Sequence, residues 1–366
     1  MKKQIASLSL GLLLMASARI QAQPVTGHVY TLTNQAAGNS VLVFNRGVGG
    51  ALALTGSFPT GGTGTGTGND PLGSQGAVAL DQSGRLLFAV NAGSNDVTAF
   101  ATDGDNLDFL NRVSSGGTRP VSIAVHGNLV YVLNAGDVPN VTGFTIAPRT
   151  NELAPLPGSQ RSLAGGGAAA PAEVSFSANG DVLMVTEKGT QTIDTYNVTD
   201  GGYLNGPIAN HSSGATPFGF QFTHRGLTIV SEAGATSNAL SSYKANDSGQ
   251  LELITGSLVN GQRGVCWAVV TEDGHLAYTI NAGTGTISSY SVAADGTLSL
   301  LNAVAAATGV GTAPTDPALT PGSDLLYVRV GGLGQVLVYR VGSDGSLIQV
   351  AAAGGVPSGS QGLAAR

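Results

Sequence analysis

Leu86-Leu87-Phe88-Ala89-Val90-Asn91-Ala92-Gly93, followed by Val97-Thr98-Ala99-Phe100, has a close copy much later in the chain. The copy reads Leu276-Ala277-Tyr278-Thr279-Ile280-Asn281-Ala282-Gly283, then Thr286-Ile287-Ser288-Ser289-Tyr290. Each is a short apolar run closed by Asn and a small-residue turn, then an alternating run that ends on an aromatic. Weaker copies end at Asn34, Asn134, Glu187, Glu232 and Val330, so the unit recurs seven times with steps of 43 to 57 residues. A strand-rich repeat of this period predicts a propeller, in which each unit buries its faces only against its neighbours.

Working outward, each copy opens with a short apolar strand, such as Ala77–Leu80, Val121–Val125, Phe218–Phe222 or Val265–Val270. Tight turns follow at Ser83-Gly84, Asn179-Gly180 and Asp273-Gly274. These residues tolerate positive φ and join antiparallel strands. Outer strands open on Leu52, Leu153, Leu204, Leu251, Leu298 and Leu347. The first copy lacks its opening strand, and Gln361-Gly362-Leu363-Ala364-Ala365 at the other end matches Gln75-Gly76-Ala77-Val78-Ala79. The expected fold is all-β: a seven-bladed β-propeller of four-stranded antiparallel blades, closed by the C-terminal strand pairing into the first blade. The longest step holds Gly61–Gly68, a Gly/Thr alternation that reads as a mobile loop insert.

Residues 1–22 read as a signal peptide: Lys2 and Lys3, an apolar run Ile5–Met15, then small residues at Ala16-Ser17-Ala18 and Ile20-Gln21-Ala22. This predicts export to the periplasm or beyond, with residues 23–366 forming one domain. No later stretch is long and apolar enough to span a membrane. Without the first 22 residues, 13 basic face 22 acidic residues. That balance disfavours nucleic acid or an anionic membrane as partner. The single cysteine, Cys266, lies in the apolar run Val265–Val270, where it reads as a small buried hydrophobe.

In an up-and-down blade the starts of the inner strands and the ends of the second strands share one face. That face is expected to gather Asn34, Asn91, Asn134, Glu187, Glu232 and Asn281, with Arg119, Glu173, Arg263 and Asp316 beside them. Carboxylates, arginines and amides around one mouth suit a small polar ligand. For the asparagines the competing reading is structural, since an Asn before a turn often satisfies its backbone. His211 is the one histidine expected on this side, and no histidine pair has metal-ligand spacing. No cofactor motif and no serine-nucleophile elbow is present.

On the repeat unit and the closing strand, the chain resembles the seven-bladed lactonase family of 6-phosphogluconolactonases and carboxymuconate lactonizing enzymes. The resemblance implies a histidine, a glutamate and two arginines at the mouth. Pro171-Ala172-Glu173 lacks the histidine, Ala215-Thr216-Pro217-Phe218 lacks the first arginine, and Asn281-Ala282-Gly283 lacks the second. Ser231-Glu232 keeps the glutamate. The expectation is therefore an exported monomeric propeller hydrolysing a sugar or related lactone. Glu187 or Glu232 would be the base, Arg119 or Arg263 the oxyanion partner, and His211 a further acid or base. The alternative is a non-catalytic propeller that binds a carbohydrate or a protein.

Overall fold

The computed structural model describes residues 24–235, 238–246 and 248–366, so the proposed signal peptide lies outside the described residues. Seven antiparallel sheets follow one another around a central axis. Blade 1 is built from both termini, with Gln361–Ala365 innermost, then Val25–Leu32, Ser40–Gly47 and Leu52–Pro59. Its closure is a true ladder, Val29 opposite Ala365 and Thr31 opposite Leu363. The Thr31 hydroxyl adds a bond to the Gly362 carbonyl at 2.7 Å. Blades 2 to 7 run in chain order, with inner strands Val78–Leu80, Pro120–His126, Pro171–Phe176, Pro217–Phe222, Val265–Val270 and Pro314–Leu319. Blade 3 departs from the simple plan, because its outer edge is split into Leu153–Pro155 and Arg161–Ser162.

The middle strands carry the β-branched and aromatic residues, and they are buried on both sides: every residue of Leu86–Asn91 and of Leu325–Val330 is buried. Neighbouring blades meet through these faces, as where Tyr131 of blade 3 packs edge-on against Phe176 of blade 4 with centroids 6.1 Å apart. Each such fully buried side chain stabilises the ring by ~1.5–3 kcal/mol. Outer strands alternate exposed and half-buried residues, as in Leu251–Val259.

The inner strands share a local device. In blades 3, 4, 5 and 7 the residue before the opening proline has left-handed backbone: Arg119 (φ 55°), Ala170 (φ 44°), Thr216 (φ 58°) and Ala313 (φ 49°). Blade 6 uses Gly264 there, the one residue type without a steric penalty. A β-bulge follows in each of these five strands, for example between Pro171 and Glu173. A bulge re-aims side chains at a strand end. Here it brings the third residue of the strand, Glu173 or Trp267 or Asp316, toward the channel region described below.

Candidate functional site

The two ends of the channel differ. At the end where the inner strands begin, residues 60–76 run across the mouth as a strap. Its Gly/Thr run is irregular, but it is tied down rather than free. Gly64 N donates to Gln35 O (2.8 Å), Gly66 N to Asn34 O (2.9 Å), and Gly93 N to Thr63 O (2.9 Å). Composition suggests mobility; the glycines instead permit close approach. A Cβ on Gly64 would lie 2.2 Å from the Asn34 backbone, and one on Gly62 would lie 2.4 Å from the Asn91 side chain. Leu72, 3% exposed, anchors the strap in the core.

Beneath the strap the channel is crossed by side chains. The Gln75 amide donates to Ala268 O (3.0 Å) and to Glu173 Oε1 (3.3 Å), and its carbonyl accepts from Ala268 N (3.1 Å). The indole of Trp267, the sole tryptophan, donates to Ser74 O at 3.0 Å and packs edge-on to Phe218. Glu173 accepts from Phe220 N at 2.6 Å, and burial raises its carboxyl well above the usual range. Asp316 is 2% exposed and neither of its oxygens has a hydrogen-bond partner. Its nearest cation is Arg329, with Nε 3.7 Å from Oδ2. Burial pushes the Asp316 carboxyl up to about 7, against the lowering effect of Arg329. A buried carboxylate that keeps a cation but lacks donors costs free energy and marks a functional candidate.

Three cations reach the strap from three blades. Arg119 Nη2 donates to Pro71 O (3.0 Å), Arg329 Nη2 to Asn69 O (2.5 Å), and Lys188 Nζ to Gly73 O. Lys188 also lies 4.8 Å from the centre of the Phe218 ring. Asp70 of the strap is the local counter-charge, its carboxyl raised by burial and lowered by Lys188 and Arg329. Cys266 shares this surrounding; burial and Asp70 push its thiol up to about 12, so it is a neutral thiol.

The remaining expected residues are brought to the same end of the propeller but serve the blade walls. Asn91 bonds Thr98 (2.9 Å) and Asp96 (2.7 Å), and Asn281 bonds Ser288 (2.9 Å). Asn134 bonds Ser115 O and Asn140, and Asn34 bonds Thr65 of the strap. Glu232 occupies the same wall position in blade 5 and accepts from Gly214 N (2.9 Å), Ser241 (2.6 Å) and Ser257 (2.7 Å). Glu187 in blade 4 accepts from Gly165 N (3.0 Å) and Thr190. Asp194 replaces the usual hydroxyl partner there, and burial with the facing Glu187 pushes its carboxyl up to about 8. Both glutamates are fully buried among these donors. Arg263 is exposed on the rim, and His211 is exposed at the end of an outer strand, at the circumference rather than at the channel.

Sequence reading passed over Asp70, Gln75, Lys188 and Arg329. Arg329 carried a usable signal: a charged residue inside the apolar strand Leu325–Val330 needs a partner when buried. Among the described residues, no three of His, Cys, Asp and Glu converge as a metal-binding group.

The other end of the channel is open. A cavity of about 410 Å³ lies among the far halves of the inner strands, with Gln221, His224, Thr271, Glu272, Pro317 and Leu363 in its wall. Glu272, exposed here, accepts from Gly322 N at 2.5 Å.

Comparison with known proteins places this architecture. A periplasmic gluconolactonase from Pseudomonas aeruginosa superposes with a TM-score of 0.71 at 16% identity, over 93% of this chain and 98% of that one. A Lactobacillus plantarum protein gives 0.73 at 20% identity, over 93% and 99%. A candidate 6-phosphogluconolactonase from Bacteroides fragilis gives 0.66 at 19% identity, over 90% and 96%. At these identities the likeness establishes the fold. No curated protein matches the sequence significantly. The family model described as lactonase, 7-bladed beta-propeller, matches residues 19–162 and 155–268, more than half of the chain. With the ring, the closing strand and that match together, the chain belongs to the seven-bladed β-propeller lactonase family.

Proposed function

We propose that this protein hydrolyses a small lactone of the sugar-acid type in the channel beneath the strap, with Asp316 as the base. The observation that carries the reading is Asp316 itself: a buried carboxylate without donors, its affinity for a proton near neutrality, beside a fixed guanidinium. A general base works best when its pKa lies near the working pH. In this scheme the Asp316 carboxylate takes a proton from water as the water oxygen bonds to the lactone carbonyl carbon. Arg329, released from Asn69 O, binds the carbonyl oxygen as negative charge builds on it. Glu173, whose carboxyl is raised by burial, serves as the acid of the scheme and delivers a proton to the ring oxygen as the acyl–oxygen bond breaks. Two carboxyls in one site can divide the roles of acid and base between them.

This assignment moves the base away from Glu187 and Glu232, whose donors are already committed within the blade walls. Export, read from residues 1–22, is part of the proposal, and so is a monomeric state. Among the described residues no helix is long and apolar enough to cross a membrane. A second reading rests on the open cavity of about 410 Å³ at the far end, which suits a neutral polyol or carbohydrate bound without chemistry.

The test is hydrolysis of a panel of γ- and δ-lactones, glucono-δ-lactone included, followed by pH-stat. Turnover above the uncatalysed rate, reduced at least ~100-fold by Asp316→Asn, is expected. No turnover of any panel member by folded protein would leave the binding reading in its place.

A further inference from the structure

We propose that Arg119, Lys188 and Arg329 form an oxyanion site that the strap fills in the resting protein as a built-in competitor, with Asp70 standing where the carboxylate of an organic acid binds. The inference deepens the reading of the channel as a lactone site, because hydrolysis of a lactone produces such an acid there. Three observations and one general principle converge on it. The three cations come from blades 3, 4 and 7, so only ring closure brings them together. All three donate to one short stretch of backbone, the carbonyls of Pro71, Gly73 and Asn69. A backbone carbonyl is a weaker partner for a cation than a carboxylate or phosphate oxygen, so an anionic ligand has an advantage over the strap at each position. The strap also carries its own anion, Asp70, between Lys188 and Arg329 and pinned by Gly73 N at 2.9 Å. An incoming carboxylate therefore replaces a charge already present and leaves buried Arg329 and half-buried Lys188 paired throughout.

Sequence reading finds no basic cluster, because Arg119, Lys188 and Arg329 are far apart in the chain. The fold assembles one. Its occupant in the closed state is the strap, whose other contacts, Gly64 N to Gln35 O and Gly66 N to Asn34 O, are backbone bonds that exchange with solvent only when it lifts.

The experiment uses the full protein with sodium gluconate as the carboxylate probe and inorganic phosphate as a second oxyanion. Amide hydrogen exchange over residues 61–76 is read together with Trp267 emission, since the Trp267 indole is bonded to Ser74 at the strap's end. Gluconate is expected to raise exchange across 61–76 at least tenfold and to shift Trp267 emission saturably. Asp70→Asn should produce the same opening at a several-fold lower gluconate concentration. An equal response to phosphate supports the site as a general oxyanion site, and a response to gluconate alone supports a carboxylate site. Unchanged exchange and emission with both anions, in wild type and in Asp70→Asn, would overturn the proposal; the wild-type arm decides alone if the variant fails to fold. Strap opening without turnover of any lactone would retain this site and remove the hydrolase reading. Turnover with an unmoved strap would do the reverse.

Discussion

The two ends of this propeller are made from the same seven repeats, yet one is sealed and the other open. At the sealed end, second strands in six of the seven blades lead into polar residues whose side chains bond their own blade and the adjoining connections. There a strap closes over buried Asp316, Glu173 and Arg329. At the open end, turns such as Asp273-Gly274 satisfy themselves locally, Thr271 Oγ1 donating to Asp273 at 2.6 Å, and a cavity remains. The difference shows where the repeat has been modified. Variation at the open end changes turns in water. Variation at the sealed end places charge among buried groups, where a charge without a partner is costly.

The comparison can be broken by removing a buried charge at the sealed end. Arg329→Met would leave Asp316 and Asp70 without their guanidinium, and the carbonyls of Asn69 and Ser358 without donors. A loss of about 3–5 kcal/mol is expected in urea unfolding. A loss below 1 kcal/mol would mean that the sealed end is not held by this group.

A second way to sharpen it uses pH. Asp194 has its proton affinity raised to about 8 in the folded chain, above the unfolded carboxyl value. The folded state therefore binds the extra proton between the two values. Stability falls as pH rises from about 4 to about 8, then levels. Asp194→Asn keeps an acceptor for Ala164 N and removes the charge facing Glu187. The variant is expected to lose less stability than wild type between pH 5 and pH 8, by on the order of 2 kcal/mol. Glu173, Asp70 and Asp316 shift in the same direction, so the variant's slope is reduced, not abolished. Parallel pH profiles for variant and wild type would show that the blade 4 pair is not sharing a proton.

Smaller effects complete the contrast. Gly64→Ala forces the strap away from the Asn34 backbone and should cost about 1–3 kcal/mol, with a change in Trp267 emission. Glu272→Gln at the open end replaces an exposed group and is expected to stay within about 0.5 kcal/mol of wild type. Denaturation curves for the pair, run side by side, check both.

How much of this was readable beforehand depends on the residue. The ring, its seven units and the closing strand follow from Leu86–Phe100, its copy at Leu276–Tyr290, and the match of Gln361–Ala365 to Gln75–Ala79. These are local patterns, repeated. The asparagines were legible as turn residues, and Asn91 and Asn281 do tie the turns and blades. Glu187 and Glu232 broke the asparagine pattern, which invited a catalytic role. Their donors, Gly165 N and Gly214 N, come from the preceding blade's connection and are invisible in a single repeat. The Gly/Thr run is ambiguous for a physical reason: glycine signals either freedom or close approach, and composition does not separate them. Lys188 and Arg329 each bond a backbone carbonyl of the strap, a connection between blades 1 and 2 that touches blades 3, 4 and 7.

The central claim is that chemistry belongs to the sealed end. The measurement that tests it most directly is the pH–rate profile for glucono-δ-lactone hydrolysis by wild type, Asp316→Asn and Glu272→Gln. The account predicts a wild-type rate that rises through about pH 7 as Asp316 loses its proton. It predicts a matching profile for Glu272→Gln and a loss of at least ~100-fold for Asp316→Asn. Turnover that survives in Asp316→Asn and disappears in Glu272→Gln would place the chemistry at the open end and contradict the account.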